Sequence, residues 1–364
     1  MLVKEIIKQL ETLAPPAYQE DYDNCGLIIG NMQQEVRGIL ISLDCMESVV
    51  EEAIRENCNL IIAHHPIIFK GLKKINGNNY IEKTIIKAIK NDIAIYAIHT
   101  NLDNVKGGVN FKIAEKLGLE NVKILAPKKQ LLKKLVVFAP QSHKEQLIKA
   151  LHKAGAGNIG DYSECSYQLD GTGTFKPNEK ANPAIGSANK KETVEETRIE
   201  VVFPFYLESA IVSALYKNHP YEEPAFDLLL LENKNKEVGS GAIGTLPIPM
   251  KELDFMNYIK SKMNISNIRH TAFLGKEIEK VALCGGSGSF LLKNALEADA
   301  DAYISADFKY HEFFDAENKI VIADIGHYES EVFTKNLFYD FLIEKFSNIA
   351  VRLSKIDTNP ISYL

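Results

Sequence analysis

The sequence predicts an α/β protein whose core consists of two similar halves, each a mixed sheet covered by helices, with an α+β domain inserted between them. Short apolar runs alternate with helix-like segments in the first and the last third of the 364-residue chain. That alternation is typical of parallel or mixed sheets. Polar stretches rich in lysine and asparagine bracket the middle of the chain and indicate domain boundaries.

The two halves of the predicted core have the same order of elements. The first half has predicted strands at Gly38–Leu43, Leu60–Ala63 and Ile93–Ile98, and helices at about Met46–Glu56, Ile81–Lys90 and Gly108–Leu117. The second half has strands at Val281–Cys284, Ala302–Ser305 and Ile320–Ile325, and helices at Phe290–Glu297, Phe308–Ala316 and Tyr328–Phe346. We therefore expect residues 1–127 and 238–364 to form one discontinuous core.

The middle of the chain, residues 128–237, has a different order of elements. The predicted elements are strand Lys134–Phe138, helix Lys144–Ala154, the glycine-rich stretch Gly155–Gly173, strand Arg198–Pro204, helix Tyr206–Asn218 and strand Ala225–Glu232. This β-α-β-β-α-β order predicts a ferredoxin-like insert. The polar stretch Phe175–Glu196 is expected to be an exposed loop.

Composition excludes several classes of protein. The formal net charge of −6 argues against a general nucleic-acid-binding surface. The five cysteines form no C-x-x-C pair, which excludes a zinc ribbon and favours reduced thiols in the cytoplasm. No apolar run approaches the ~20 residues that a membrane-spanning helix needs. We expect a cytoplasmic protein that binds neither membranes nor, in general, nucleic acid.

Three predicted strands end in histidine and carboxylate side chains. His64 and His65 follow the first of these strands, His99 and Asp103 the second, and His327-Tyr328-Glu329-Ser330-Glu331 the third. Divalent first-row metals prefer this mixture of imidazole and carboxylate ligands. Adjacent histidines diverge unless the backbone turns sharply, so two metals that share a bridging carboxylate fit the pattern best. Each cluster taken alone is more often a solvated loop, and the prediction depends on their joint occurrence.

Two other motifs have open interpretations. Gly285-Gly286-Ser287-Gly288 lies between a predicted strand and a helix, where backbone amides can bind phosphate, but it lacks the P-loop spacing and a tight turn is favoured. Asp307 and His311 are spaced i, i+4 on a predicted helix. They form either an exposed polar face or groups that support the metal ligands or transfer protons, and His99 is a similar candidate.

These motifs together resemble the family of GTP cyclohydrolase 1 type 2 homologues, the NIF-like dinuclear-metal proteins. The matching segments are Tyr22–Leu27, Ala63–Phe69, His99–Asp103, Cys284–Gly288, Ala306–His311 and Gly326–Glu331. The resemblance implies two divalent cations per chain, zinc, iron or manganese, bound by His64, His65, Asp103, His327 and Glu331. It also implies a ring-shaped homohexamer with the metals facing an inner cavity.

The predicted insert has a resemblance of its own. His219-Pro220-Tyr221-Glu222-Glu223-Pro224-Ala225-Phe226-Asp227 is similar to a segment of CutA-like and PII-like domains. A Pro-flanked turn between helix and strand is the alternative interpretation, and a ferredoxin-like fold does not fix a function.

The activity that the resemblance implies is metal-dependent hydrolysis, in which metal-bound hydroxide attacks the ring of a purine nucleotide and His99 or His311 transfers protons. The sequence has no clear basic motif for a triphosphate, so another small-molecule substrate remains open. The alternative is a non-catalytic metal-handling or regulatory hexamer whose insert senses a small ligand or partner. A DNA-associated ring is a third alternative and would need a basic cavity.

Overall fold

The computed structural model describes all 364 residues, which form three sheets with helices packed against them. The predicted α/β class is confirmed. The strands are β1 (Gly26–Ile29), β2 (Gly38–Ser42), β3 (Leu60–Ala63), β4 (Ala94–Ala97), β5 (Glu120–Pro127), β6 (Leu132–Pro140), β7 (Tyr167–Phe175), β8 (Glu192–Pro204), β9 (Phe226–Leu231), β10 (Gly239–Lys251), β11 (Arg269–His270), β12 (Glu277–Ser287), β13 (Ala302–Ala306), β14 (Val321–Asp324) and β15 (Ala350–Leu353).

Eleven α-helices and several short 3-10 helices connect these strands. The α-helices are α1 (Val3–Leu13), α2 (Glu47–Arg55), α3 (Tyr80–Lys90), α4 (Thr100–Asp103), α5 (Val109–Lys116), α6 (Lys144–Lys153), α7 (Glu208–Asn218), α8 (Glu252–Met263), α9 (Leu292–Glu297), α10 (His327–Glu331) and α11 (Thr334–Lys345). None of the helices is both long and apolar enough to cross a membrane. The chain divides into a core unit, Met1–Ala126 with Val238–Leu364, and an insert, Pro127–Glu237.

The first sheet of the core unit has the strand order β1-β4-β3-β2-β15. Strand β1 is antiparallel to β4, and the other neighbours are parallel. Strands β2, β3 and β4 are buried along their whole length, which explains why they consist almost entirely of apolar residues. Helices α2 and α3 cover one face, where Val50 and Ile85 pack against Leu40, Ile61 and Ile95.

The second sheet of the core unit has the order β11-β14-β13-β12-β10-β5. Its strands β12, β13 and β14 are parallel neighbours, while β10 and β11 pair with them in antiparallel fashion. Each sheet of the core unit therefore contains three consecutive parallel strands, β2-β3-β4 and β12-β13-β14. Functional side chains of α/β proteins concentrate at the carboxyl ends of such strands.

The insert is a four-stranded antiparallel sheet, in the order β7-β8-β6-β9, with two helices on one face. Alternate residues of β8, namely Ile199, Val201 and Phe203, are buried with Leu151 of α6 and Leu215 of α7. This period of two places the apolar side chains of β8 under the helices and its polar side chains on the other face. The chain order β-α-β-β-α-β is that of the ferredoxin-like motif.

The structure differs from the predicted elements at two places near the end of the chain. The segment predicted as helix Phe308–Ala316 is a 3-10 helix, Tyr310–Ala316, and Asp307 precedes it in a left-handed backbone conformation (φ +58°) that excludes Asp307 from a helix. Asp307 and His311 therefore do not share a helix face. The predicted helix Tyr328–Phe346 is two helices, α10 and α11, and β15 follows them where no strand was predicted.

Candidate metal centre

The adjacent histidines after β3 lie on a sharp backbone turn. The amides of His64 and His65 both donate to the carbonyl oxygen of Leu43, at 3.0 and 2.9 Å. This turn keeps the two rings together, with centroids 4.9 Å apart. The turn thus overcomes the usual divergence of neighbouring side chains.

His64 is fully buried and presents a free ring nitrogen to two carboxylates. Its Nδ1 lies 2.9 Å from the carbonyl oxygen of Ile98, which only accepts, so Nδ1 carries the proton and Nε2 has a lone pair. Nε2 lies 3.6 Å from Asp103 Oδ1 and 3.9 Å from Glu331 Oε2. Burial lowers the pKa of His64 to about 3, which keeps the ring neutral.

Two of these facing atoms are buried without any hydrogen-bond partner, namely His64 Nε2 and Asp103 Oδ1. Burying an unpartnered polar atom is costly, and two unpartnered acceptors that face each other also repel. A divalent cation between them would satisfy both, because neutral imidazole and carboxylate are suitable ligands. The residues present therefore fit a metal ion.

Glu331 joins this pair to a second group of ligand atoms. Its Oε2 lies 3.0 Å from His65 Nε2 and 3.1 Å from His327 Nε2. Ligand atoms of His65, His327 and Glu331 lie within 4.8 Å of one another, as do those of His64, Asp103 and Glu331. Since Glu331 belongs to both groups and is itself buried, it is placed to bridge two cations.

His65 and His327 each have a further carboxylate partner, which contacts the Nδ1 nitrogen of the ring. Asp44 Oδ1 lies 2.7 Å from His65 Nδ1, and Asp307 Oδ2 lies 2.7 Å from His327 Nδ1. Such partners fix the ring so that Nε2 points inward, as is usual for metal-binding histidines. Burial opposes protonation, but hydrogen bonds to Asp44 and Glu331 raise the pKa of His65 to about 9.

The pKa of His327 shows the same balance. Burial disfavours its charged form, yet hydrogen bonds to Asp307 and Glu331 raise the pKa to about 11. The same two protonated rings lower the pKa of Glu331 despite the burial of that carboxyl group. Burial and the neighbouring Glu331 also raise the pKa of Asp103 well above its usual value. Without a metal, protons on these groups thus offset the negative charge of the centre, and a cation would replace them.

The two predicted proton-transfer residues have different positions. His99 lies within the cluster: its ring is centred 5.2 Å from those of His64 and His65, and its Nδ1 is 2.9 Å from Asp23 Oδ1. It is also a potential metal ligand together with these two histidines. His311 is exposed, has its ring near Tyr310 and Phe314, and does not line the cavity around the cluster. The structure does not bring His311 to the centre.

The glycine-rich segment predicted as a turn, Gly285–Gly288, instead forms the end of β12 as far as Ser287, where the pairing with β13 changes register, and it packs against the centre. The amide of Gly285 donates to Asn110 Oδ1, and that of Gly286 donates to Ser330 Oγ, both at 2.9 Å. These two amides are therefore used within the chain rather than offered to a phosphate. Gly286 has φ +60°, and a Cβ there would lie only 3.2 Å from Glu331 Cδ. A larger residue at this position would displace the bridging carboxylate.

A cavity of about 1100 Å³ within the core unit is lined by most of these groups, namely Asp44, His65, His99, Asp103, His327 and Glu331. The cavity is also lined by aromatic and apolar side chains, by one lysine, and by residues of the C-terminal segment: Tyr22, Phe69, Lys70, Tyr80, Phe290, Tyr328, Thr358, Asn359, Pro360 and Ile361. A volume of this size accommodates a small-molecule ligand.

Neither Asp44 nor the C-terminal segment was predicted from the sequence as part of the site. Asp44 follows β2 in the same way that His64 follows β3, so its place after a buried apolar strand was an available signal. Asp23 belongs to the motif Tyr22–Leu27. Its pairing with His99 has no local signal in the sequence, because the two residues are far apart along the chain.

Comparisons with known proteins agree with this architecture. The family model for Duf34/NIF3 (NGG1p interacting factor 3) matches residues 1–360. A Bacillus subtilis protein named "GTP cyclohydrolase 1 type 2 homolog" is 38% identical over 99% of this chain and 98% of its own length, and a protein of the same name from Halalkalibacterium halodurans is 39% identical with the same coverage.

A crystal structure of a Bacillus cereus protein related to NIF3 superposes with a TM-score of 0.88 at 40% identity, and covers 100% of this chain and 99% of that one. A Staphylococcus aureus protein superposes with a TM-score of 0.81 at 30% identity and the same coverage. The chain therefore belongs to the Duf34/NIF3 family.

Proposed function

We propose that this protein binds two divalent cations and is a metal-dependent hydrolase. The observation that carries the proposal is the pair of buried, unpartnered acceptors, His64 Nε2 and Asp103 Oδ1, next to the shared carboxylate of Glu331. His64 and Asp103 with Glu331 would hold one cation, and His65 and His327 with Glu331 the other. The mixed nitrogen and oxygen ligands suit zinc, iron or manganese.

Bound divalent cations would supply Lewis acidity and activate water for hydrolysis near neutral pH. The chain's own groups have separate tasks. Asp44 and Asp307 orient the histidine rings, and His99, held by Asp23, is placed beside the cluster where it can accept or return a proton. Because His311 does not line the cavity, we assign it no part in this chemistry.

The charge of the cavity bears on the substrate. Lys70 is the only lysine or arginine among the lining residues. The name of the Bacillus subtilis relative suggests a purine nucleotide, but a triphosphate would find little positive charge here apart from the cations. The substrate class that fits best is a nucleotide with fewer than three phosphates, or a cyclic amide, bound between the exposed aromatic side chains.

The second candidate function is a non-catalytic metal-handling or regulatory protein. It is favoured by the insert, which has its own cavity of about 620 Å³, lined among others by Phe138, Arg198 and Tyr221. A ligand of that cavity would give the insert a sensing role that needs no hydrolysis at the core.

Elemental analysis of protein purified without chelator tests the metal proposal. We expect about two divalent ions per chain in the wild type. Asp103→Ala should retain about one, because it removes a ligand from only one of the two groups. Less than half an ion per wild-type chain, even after reconstitution with zinc, manganese or ferrous iron, would refute the proposal.

Turnover distinguishes the enzyme from the regulator. Reconstituted protein should be assayed with nucleotides and cyclic amides by product chromatography, beside Glu331→Gln, which should be inactive because it weakens both ligand groups. Absence of turnover with every substrate by a protein that holds two ions would favour the regulator. The matched control is Glu297→Gln, a change at an exposed residue of α9.

We further propose that the protein is a cytoplasmic homo-oligomer, with the hexamer implied by its sequence motifs. All five cysteines are unpaired, as expected of a reducing compartment. Large exposed aromatic side chains, among them Tyr310 (73% exposed) and Phe314 (65%), would be covered by assembly. Light scattering should give a mass near six times 40.7 kDa, or about 244 kDa, and a 41 kDa particle would contradict this.

A further inference from the structure

The segment after β15 is anchored to the first sheet before it approaches the cavity. The amide of Ser354 donates to the carbonyl oxygen of Ile41 at 2.8 Å. The hydroxyl of Ser354 and the amide of Lys355 both donate to the carboxylate of Glu52 on α2. The C-terminal segment therefore enters the region of the metal centre from a fixed starting point.

Thr358 of this segment contacts the carboxylate that holds His65. Its hydroxyl donates to Asp44 Oδ2 at 2.6 Å, while Asp44 Oδ1 lies 2.7 Å from His65 Nδ1. The two oxygens of one carboxylate are thus divided between a threonine and a histidine. Thr358 is only 7% exposed, so its hydroxyl is largely shielded from water.

The next residue, Asn359, contacts the helix that carries His327 and Glu331. Asn359 Nδ2 donates to Glu329 Oε1 at 3.0 Å. Glu329 lies on α10, the short helix that also carries His327 and Glu331. Two consecutive residues of the C-terminal segment therefore contact carboxylates beside the group formed by His65, His327 and Glu331.

We propose that Thr358 is a positioning residue of the metal centre, which acts through Asp44 on His65. A carboxylate bonded only to the histidine can rotate about its terminal torsion, which is broad for aspartate. The hydrogen bond from Thr358 fixes Oδ2 and so places Oδ1, which in turn holds the His65 ring with Nε2 toward Glu331. This inference rests on the proposed binding of two cations.

Zinc titration of the metal-free protein tests the inference. Thr358→Val removes the hydroxyl and preserves the shape of the side chain. We expect it to lower the affinity for one of the two ions about tenfold, at the lower end of the loss typical of outer partners of metal ligands. The ion held by His64 and Asp103 should bind as in the wild type. Thr358→Ser, which restores the hydroxyl, should recover the affinity.

A double-mutant cycle separates positioning from a general structural role. If Thr358 acts only through Asp44, then Thr358→Val combined with Asp44→Ala should bind zinc no more weakly than Asp44→Ala alone. The absorption spectrum of the cobalt-loaded protein should change in Thr358→Val and be restored in Thr358→Ser. Thr245→Val, a change on β10 outside the cavity lining, is the matched control and should behave as the wild type.

The outcomes distinguish two failures. Full zinc affinity in Thr358→Val, independent losses in the double variant, or a loss that serine does not recover would each overturn the positioning role while leaving the proposed function standing. A wild type that binds neither zinc, manganese nor ferrous iron would overturn the proposed function and this inference with it.

Discussion

Removal of divalent cations should lower the melting temperature of the protein by about 10 °C. The proposed ligands come from both ends of the chain, with His64, His65 and Asp103 in the first half of the core unit and His327 and Glu331 in the second. The complete set therefore exists only in the folded state. An ion that binds only the folded state stabilises it by about 2.7 kcal/mol when its free concentration is 100 times the dissociation constant, so two ions contribute about 5.4 kcal/mol.

The temperature shift follows from the size of the core unit. It contains about 250 residues, for which an unfolding entropy of about 2.1 cal/mol/K per residue gives about 0.53 kcal/mol/K. Dividing the free energy by this entropy gives a shift of about 10 °C for two ions and about 5 °C for one.

The assay is thermal unfolding followed by circular dichroism, with protein dialysed against chelator and then reconstituted with zinc or manganese at equal free concentration. Asp103→Ala should keep about half of the shift, and Glu331→Gln almost none. The control Glu297→Gln should keep all of it. Equal melting temperatures of the wild type with and without metal would refute the reasoning, and so would a full shift in Glu331→Gln.

Three further predictions concern single residues. Asp44→Asn should weaken zinc binding about 10- to 100-fold in a competition titration, because it disturbs the partner that orients His65. Gly286→Ala should destabilise the fold by at least about 1 kcal/mol, because the backbone at this position is left-handed. It should also lower the metal content, because its Cβ crowds Glu331. Urea unfolding measures the first effect and elemental analysis the second. Leu151→Ala, in the apolar core of the insert, should cost about 2–5 kcal/mol in urea unfolding while the metal content of the protein stays unchanged, since Leu151 belongs to the insert and the proposed ligands to the core unit.

The elements that the sequence predicted well are those with a strong local signal. Strand Leu60–Ala63 has the predicted bounds, and Ala94–Ala97 differs by one residue at each end. Both are buried on two faces and consist of apolar residues between polar segments. Strand β15, by contrast, is exposed or half-buried at every position and contains the charged residue Arg352, so it has no such pattern. Its pairing with β2 is a contact between distant parts of the chain.

The candidate site shows the same division between local and long-range information. The histidines after β3, β4 and β14 could be predicted from the sequence because each follows an apolar strand within three residues. What brings them together is the meeting of two sheets, which no local pattern describes. The conformation of Asp307 was not predicted for a related reason. Its left-handed backbone is accompanied by a hydrogen bond to His327, which follows β14 and so lies outside the local sequence of Asp307.

The position of the insert has a consequence for how this architecture can change. Glu120 of β5 lies beside Thr245 of β10, and Leu125 lies beside Gly241, so these neighbouring strands run in opposite directions. The insert begins where β5 ends and closes on itself through a hydrogen bond from Asn235 N to Lys128 O. It thus occupies the place of an ordinary hairpin loop. A single deletion that left a turn of about two to five residues would shorten the protein by nearly a third without rethreading any strand of the core.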